Sequence, residues 1–416
     1  MYKNNLNRIM TYTKKELVRP KSIKLTHTNK INLIVHGQGV FIFLCKNQEK
    51  ISKFIIYNQT YSDGLLVDFT SDKIIVIRIS NNEKFIDINN TKGIINKKGA
   101  YYWFSLDSSN QKLSAGMGEA RIENILYEYQ MKSEDRKFME ELDKIVIDTD
   151  SNIHPLKILR DPIRNAIPLF VKGTDELTMN DVAENYYLPS ANLSVVGQKL
   201  FNSISGKRFI LDDLDFPEFS RAIETSINTP GLWCYNKLQE KASEFNPDKP
   251  NILETYLRIT LNQNNGESPG IPYVMEIWPV GHFSPIHNHS GANAVIRVLH
   301  GSINVSLFPF LCEDKEGIES FGQINFIKDD ITWISANVNQ THQLKNLETN
   351  KDTCITIQCY MYDENDVLHY DYFDFIDSDG IKQQYTPDLD MDFIDFKKLM
   401  KQEWDANKNV KKYYFV

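Results

Sequence analysis

His287 and His289 lie one residue apart in the stretch WPVGHFSPIHNHSGANAVIRVLHG, residues 278–301. On a β-strand that spacing sends both rings to one face, as two ligands of a single metal ion require. The pair is framed by glycines, Gly281 six residues before His287 and Gly301 twelve after His289, and the apolar run AVIRVL leads into the second of them. A ligand pair near a strand end, with turn glycines on either side, is therefore the first feature the chain offers.

The elements that must carry it are strands. TYLRITL, YVMEIW, ANAVIRVL, SINVSLF, QINFIK, ITWIS and TCITIQCYMY follow one another between about Leu253 and Asp363, enough antiparallel strands for a small β-barrel or jelly roll. FPEFSRAIETSI and LWCYNKLQEKASEF read as two helices ahead of them. The tail from Ser378 is rich in Asp and Lys and holds one helix around IDFKKLMKQEW, able to fold back or to mediate assembly.

Upstream, INLIVHG, GVFIFLC, KFIIYN, GLLVDF, KIIVIRI and ENILYEYQ alternate with Asn, Asp, Gly and Ser, the pattern of an all-β sandwich. SEDRKFMEELDKIV, Ser133–Val146, reads as a charged amphipathic helix with Ser133 able to cap it. The expected order is a flexible arm (1–22), a β-sandwich (23–150), a connector (151–198), a barrel domain with helices before the barrel (199–376) and a tail (377–416), a mainly β chain.

Bulk properties narrow the function. With 416 residues, a formal net charge of −8 and no basic cluster, nucleic acid is an unsuitable partner. No apolar run nears the roughly 18 residues of a membrane span, and the N-terminus lacks the apolar core of a secretory signal. Cys45, Cys234, Cys312, Cys354 and Cys359 are scattered and suit a reducing compartment. Cys354 and Cys359, at odd separation on one strand, face opposite ways. The expectation is a cytoplasmic protein acting on small molecules or binding proteins.

The framed pair resembles the first half of the cupin motif, G-x5-H-x-H followed by a glutamate and a glycine. The glutamate is missing, since its place falls on Asn293 or Ala294. His342, in THQLKN, matches the ligand of the second half. Three histidines without a carboxylate resemble the thiol dioxygenases, above all cysteine dioxygenase. Trp278, Gly281-His282, Tyr256-Leu257-Arg258 in place of Tyr-Thr-Arg, and Thr356-Ile357-Gln358-Cys359-Tyr360 in place of Ser-Leu-His-Leu-Tyr extend the likeness over residues 199–376.

That resemblance implies Fe(II) held by His287, His289 and His342, with Arg258 binding a substrate carboxylate. It also implies that Tyr360, supported by Gln358 and Thr356, orients substrate and oxygen. Gln358 cannot shuttle a proton as the family histidine can. Ala294 stands where animal enzymes have the cysteine that crosslinks to the tyrosine. His282 fits a supporting role better than ligation, and His27, His36, His154, His300 and His369 fit surface or core positions.

The segment AYYWFSLDSSNQKLSAGMGEARIENILYEY, residues 100–129, resembles the β-sandwich module named after farnesoic acid O-methyltransferase, which carries no S-adenosylmethionine site. It implies an accessory domain with a protein or glycan partner. The functional expectation is dioxygenation of a small thiol by O2 to its sulfinic acid. Cysteine is the leading substrate, 3-mercaptopropionate and cysteamine are alternatives, and the rival is a non-catalytic cupin joined to a binding module.

Overall fold

The computed structural model describes residues 21–25, 29–45, 52–70, 73–85, 97–148, 151–262, 273–363 and 372–413. Most of the N-terminal arm, residues 263–272 of the segment NQNNGESPGIP between Arg258 and the histidine pair, and also His27 and His369 lie outside them. Among the described residues the chain is mainly β and forms two compact units. One takes residues up to 94 with 103–115 and 127–163; the other takes 95–102, 116–126 and everything from 164.

The first unit has two six-stranded sheets. Period-two alternation sends one face of each inward, where Phe41 and Phe43 from one sheet meet Phe54 and Phe69 from the other, with Phe41–Phe54 and Phe43–Phe69 ring centroids 5.0 and 5.1 Å apart. All four rings are fully buried, which makes a sandwich core.

Two details differ from the sequence reading. The helix expected over Ser133–Val146 is only Arg136–Glu141, after a tight turn at Ser133–Asp135 and with no side-chain cap. Leu142–Ile147 is instead a strand between Lys30–Asn32 and Ser52–Asn58. From Asp143 onward its side chains alternate in burial at period two, and pairing on both edges outweighs any helical continuation. The stretch set aside as connector divides likewise: Ile153–Leu159 is a strand between Ser22–Lys24 and Gln38–Cys45.

The second unit has an eight-stranded sheet and a six-stranded sheet. In the larger one, alternation separates two cores. Leu257, Ile259, Met275, Ile277, Val295, Ile355, Ile357 and Cys359 pack on the helices Val195–Ile204, Phe219–Asn228 and Trp233–Glu240. The intervening Arg258, Glu276, Ile296, Gln358 and Tyr360 line a cavity on the other face. Cys354 and Cys359 belong to different cores, as their odd separation requires.

The tail folds back. Met391–Asp392 pairs in parallel with Leu257–Asn262, and the helix Phe393–Tyr413 buries Phe396 and Met400 completely. At the framing glycine Gly301 the backbone has φ +70°, and a Cβ there would lie 2.6 Å from the Thr353 carbonyl oxygen, so only glycine fits. No helix among the described residues is long and apolar enough to cross a membrane.

Candidate metal centre and its cavity

The smaller sheet of the second unit brings the histidines together. His287, on the two-residue strand Ile286–His287, lies directly opposite His342, the first residue of His342–Lys345. His289 follows just past the strand end. The three rings have centroids 4.6, 4.9 and 5.1 Å apart, and one nitrogen from each lies within 4.8 Å of the others.

Backbone carbonyls fix the orientation of two of them. Nδ1 of His287 lies 3.0 Å from the Pro285 carbonyl oxygen, and Nδ1 of His342 lies 3.2 Å from that of Asn339. A carbonyl only accepts, so each Nδ1 carries the hydrogen and each Nε2 keeps a lone pair. His289 is wedged between Tyr360 and Phe373.

Burial pushes the histidine pKa values down, to about 4 for His287 and about 3 for His342, and well below the ordinary range for His289, where the neighbouring histidines add to the effect. All three are neutral, as ligation requires. Nε2 of His289 and His342 are 3.2 Å apart. Two imidazole nitrogens about 2.1 Å from one ion at a right angle stand about 3 Å apart. These donors therefore fit a transition metal, and the cluster could hold one.

Arg258, Glu276, Gln358 and Tyr360 line the same cavity as the histidines, in a continuous chain of contacts. Tyr360 donates its hydroxyl hydrogen to Oε1 of Gln358, whose Nε2 donates to Oε2 of Glu276. Oε1 of Glu276 lies 3.4 Å from Nε of Arg258, which has no aligned hydrogen-bond acceptor. Burial raises Glu276 to about 7, with Arg258, Lys241 and Gln358 pulling the other way. Burial also carries Tyr360 well above the usual phenol range, so it stays protonated.

Thr356 is fully buried behind Gln358, its hydroxyl 3.3 Å from Nε2, and does not reach the cavity. Ala294 pairs in register with Tyr360 and packs in the same small cluster, so a side chain at 294 sits beside the phenol. His282 is clasped by the backbone of Thr255, 2.9 Å from Nδ1 to its carbonyl oxygen, and is not in the cluster.

Glu276 is the residue the sequence reading passed over. The signal was present, because a carboxylate occupies an inward position in YVMEIW, two residues before Trp278. Most of the remaining wall is apolar, including Val298, Ile303, Val305 and Phe326, with Ser284, Thr332 and Asn339 among its polar members, and it leaves about 70 Å³. That is room for several waters or one small molecule.

No protein family model matches the chain. Among solved structures it is similar to the cupin domain of Schizosaccharomyces pombe Cnp3, at 15% identity over 26% of this chain and 65% of that one, TM-score 0.21. It is also similar to a cupin superfamily protein from Desulfitobacterium hafniense DCB-2, at 14% identity over 26% and 79% of the two chains, TM-score 0.19. A third is a putative sugar phosphate isomerase from Acidithiobacillus ferrooxidans, at 14% identity over 33% and 79%, TM-score 0.23. The chain thus spans just under two thirds of the first of these. Such slight likenesses carry no argument about chemistry, and the site stands on its own geometry: three neutral histidines and an Arg–Glu–Gln–Tyr chain around one small cavity.

Proposed function

We propose that the protein is a non-haem Fe(II) thiol dioxygenase, converting a small thiol and O2 to the sulfinic acid, RSH + O2 → RSO2H. The observation that carries this reading is the convergence of three neutral imidazoles, with no carboxylate among them, on a cavity that also holds Arg258 and Tyr360. Iron(II) held by His287, His289 and His342 supplies a centre of undiminished positive charge for a thiolate and for O2.

The other roles belong to the chain itself. Arg258 takes the carboxylate of a cysteine-like substrate through donors that Glu276 leaves unused. Tyr360 gives its own hydrogen to Gln358, so its oxygen faces the cavity as an acceptor and orients substrate. Thr356 supports Gln358 from behind. The apolar walls exclude water from the sulfur.

One observation favours a thiol without a carboxylate, such as cysteamine: Arg258 already has Glu276 as counter-charge. Oxygen uptake by the Fe(II)-loaded protein with cysteine, 3-mercaptopropionate and cysteamine in turn separates the substrates. Absence of uptake with all three, despite bound iron, favours a binding protein. The N-terminal sandwich is assigned an accessory role toward a protein or glycan.

A further inference from the structure

His342 is presented by the turn Asn339–Gln340–Thr341, and that turn is gripped by a carboxylate from a distant part of the sequence. Glu119, 2% exposed, accepts the backbone N–H of Asn339 at 2.8 Å and that of Gln340 at 2.7 Å, one on each oxygen. Arg121, 1% exposed, donates from Nη1 to the side-chain oxygen of Asn339 at 2.9 Å. It lies 3.7 Å from Glu119 and is held from its other side by Glu123.

The gripped residues touch two of the three histidines' supports. Asn339, at φ +62°, offers the carbonyl that accepts from Nδ1 of His342. Gln340 extends its side chain to the turn that follows His289, accepting from the Gly291 N–H at 2.9 Å and donating to the Ala292 carbonyl at 2.9 Å. The approach of Glu119 is itself built in. Gly118 has φ +74°, a Cβ on it would lie 2.3 Å from the Pro309 carbonyl oxygen, and Glu119 N–H donates to that oxygen.

We propose that Glu119 is a positioning residue of the metal centre: its carboxylate, holding the backbone of Asn339 and Gln340, fixes the turn that aims His342 and, through Gln340, the turn that follows His289. This rests on the three histidines being a metal site, and not on which reaction occurs there. Two charge-assisted hydrogen bonds inside the protein are a rigid clamp. Residues that orient ligands from behind typically change metal affinity by about 10–100-fold when removed.

The test is Co(II) titration of metal-free full-length protein, followed by the visible absorption of the bound ion, for the native protein, Glu119→Ala, Glu119→Gln and His342→Ala. Glu119→Ala is expected to weaken Co(II) binding by about 10–100-fold and to alter the spectrum. Glu119→Gln keeps the shape and one acceptor, so it restores part of the affinity and folds even where the alanine variant does not. Native affinity and an unchanged spectrum in Glu119→Gln and in any folded Glu119→Ala, while His342→Ala loses the ion, would overturn the proposal. Absence of thiol oxidation by the Fe(II)-loaded native protein, with Co(II) affinity following this order, would count against the dioxygenase reading alone.

Discussion

Arg258 and Glu276 face each other in register across two neighbouring strands, with Nε 3.4 Å from Oε1, and both are buried beside the three histidines. Each compensates a charge that the cavity could not otherwise hold. Removing one partner of such a pair costs roughly 3–5 kcal/mol because it strands the other, whereas replacing both is often close to neutral. Denaturant unfolding is expected to show this loss in Arg258→Leu and its substantial recovery in Arg258→Leu with Glu276→Leu. Additive losses would mean that the two charges act independently.

The pair also sets a pH dependence. Glu276 is raised to about 7 in the folded protein, above its ordinary value of 4.5. Between those values the folded state keeps a proton that the unfolded state has lost, so the contribution is full below about 4.5 and declines as pH rises through 7. Relative to the native protein, Glu276→Gln is therefore expected to gain stability as pH rises from 4.5 to 8, by at most about 3 kcal/mol. Melting temperatures of the two proteins across that range check it, and parallel curves would contradict it.

Substrate choice depends on the same contact. With Glu276 neutralised, Arg258 turns its full charge toward the ligand. Glu276→Gln should lower KM for cysteine and 3-mercaptopropionate by on the order of tenfold, the equivalent of about 1.4 kcal/mol, and leave cysteamine unchanged. Steady-state oxygen uptake with the three thiols reads this directly. An equal shift for all three would remove the carboxylate from the role given to Arg258.

Tyr360 stacks on His289 with 5.4 Å between centroids and passes its hydrogen to Gln358. Tyr360→Phe keeps the ring and removes only the oxygen. Metal content should be unchanged while kcat falls by about tenfold, the loss of one orienting hydrogen bond of about 1.4 kcal/mol. Iron analysis alongside turnover separates the two effects; loss of iron would show that the hydroxyl acts on the metal shell.

Much of this site was legible in the sequence because it is built from short-range regularities. The H-x-H spacing, the glycine that alone fits against Thr353, and the period-two run Thr356, Gln358, Tyr360 each express a local rule of strand geometry. Period two also separates Arg258 from its neighbours Leu257 and Ile259, which pack on the helices on the other face of the sheet. What the sequence concealed was long-range. Glu276 looks like one residue of an ordinary strand until register places it opposite Arg258, and Glu119 lies more than two hundred residues from the turn it holds. The strand Leu142–Ile147 was hidden for the same reason, since its charged composition continues that of the helical segment before it and only its distant pairing partners, at Lys30–Asn32 and Ser52–Asn58, decide its state.

The reading given to His287, His289 and His342 is that they hold an iron that oxidises a thiol. It is tested most directly by mass spectrometry of the products after anaerobically Fe(II)-loaded protein is mixed with each thiol and 18O2. The expected product is a sulfinic acid carrying two labelled oxygen atoms, formed by the native protein and absent with His287→Ala. Unmodified thiol, or disulfide alone, from native protein that has bound iron would contradict it.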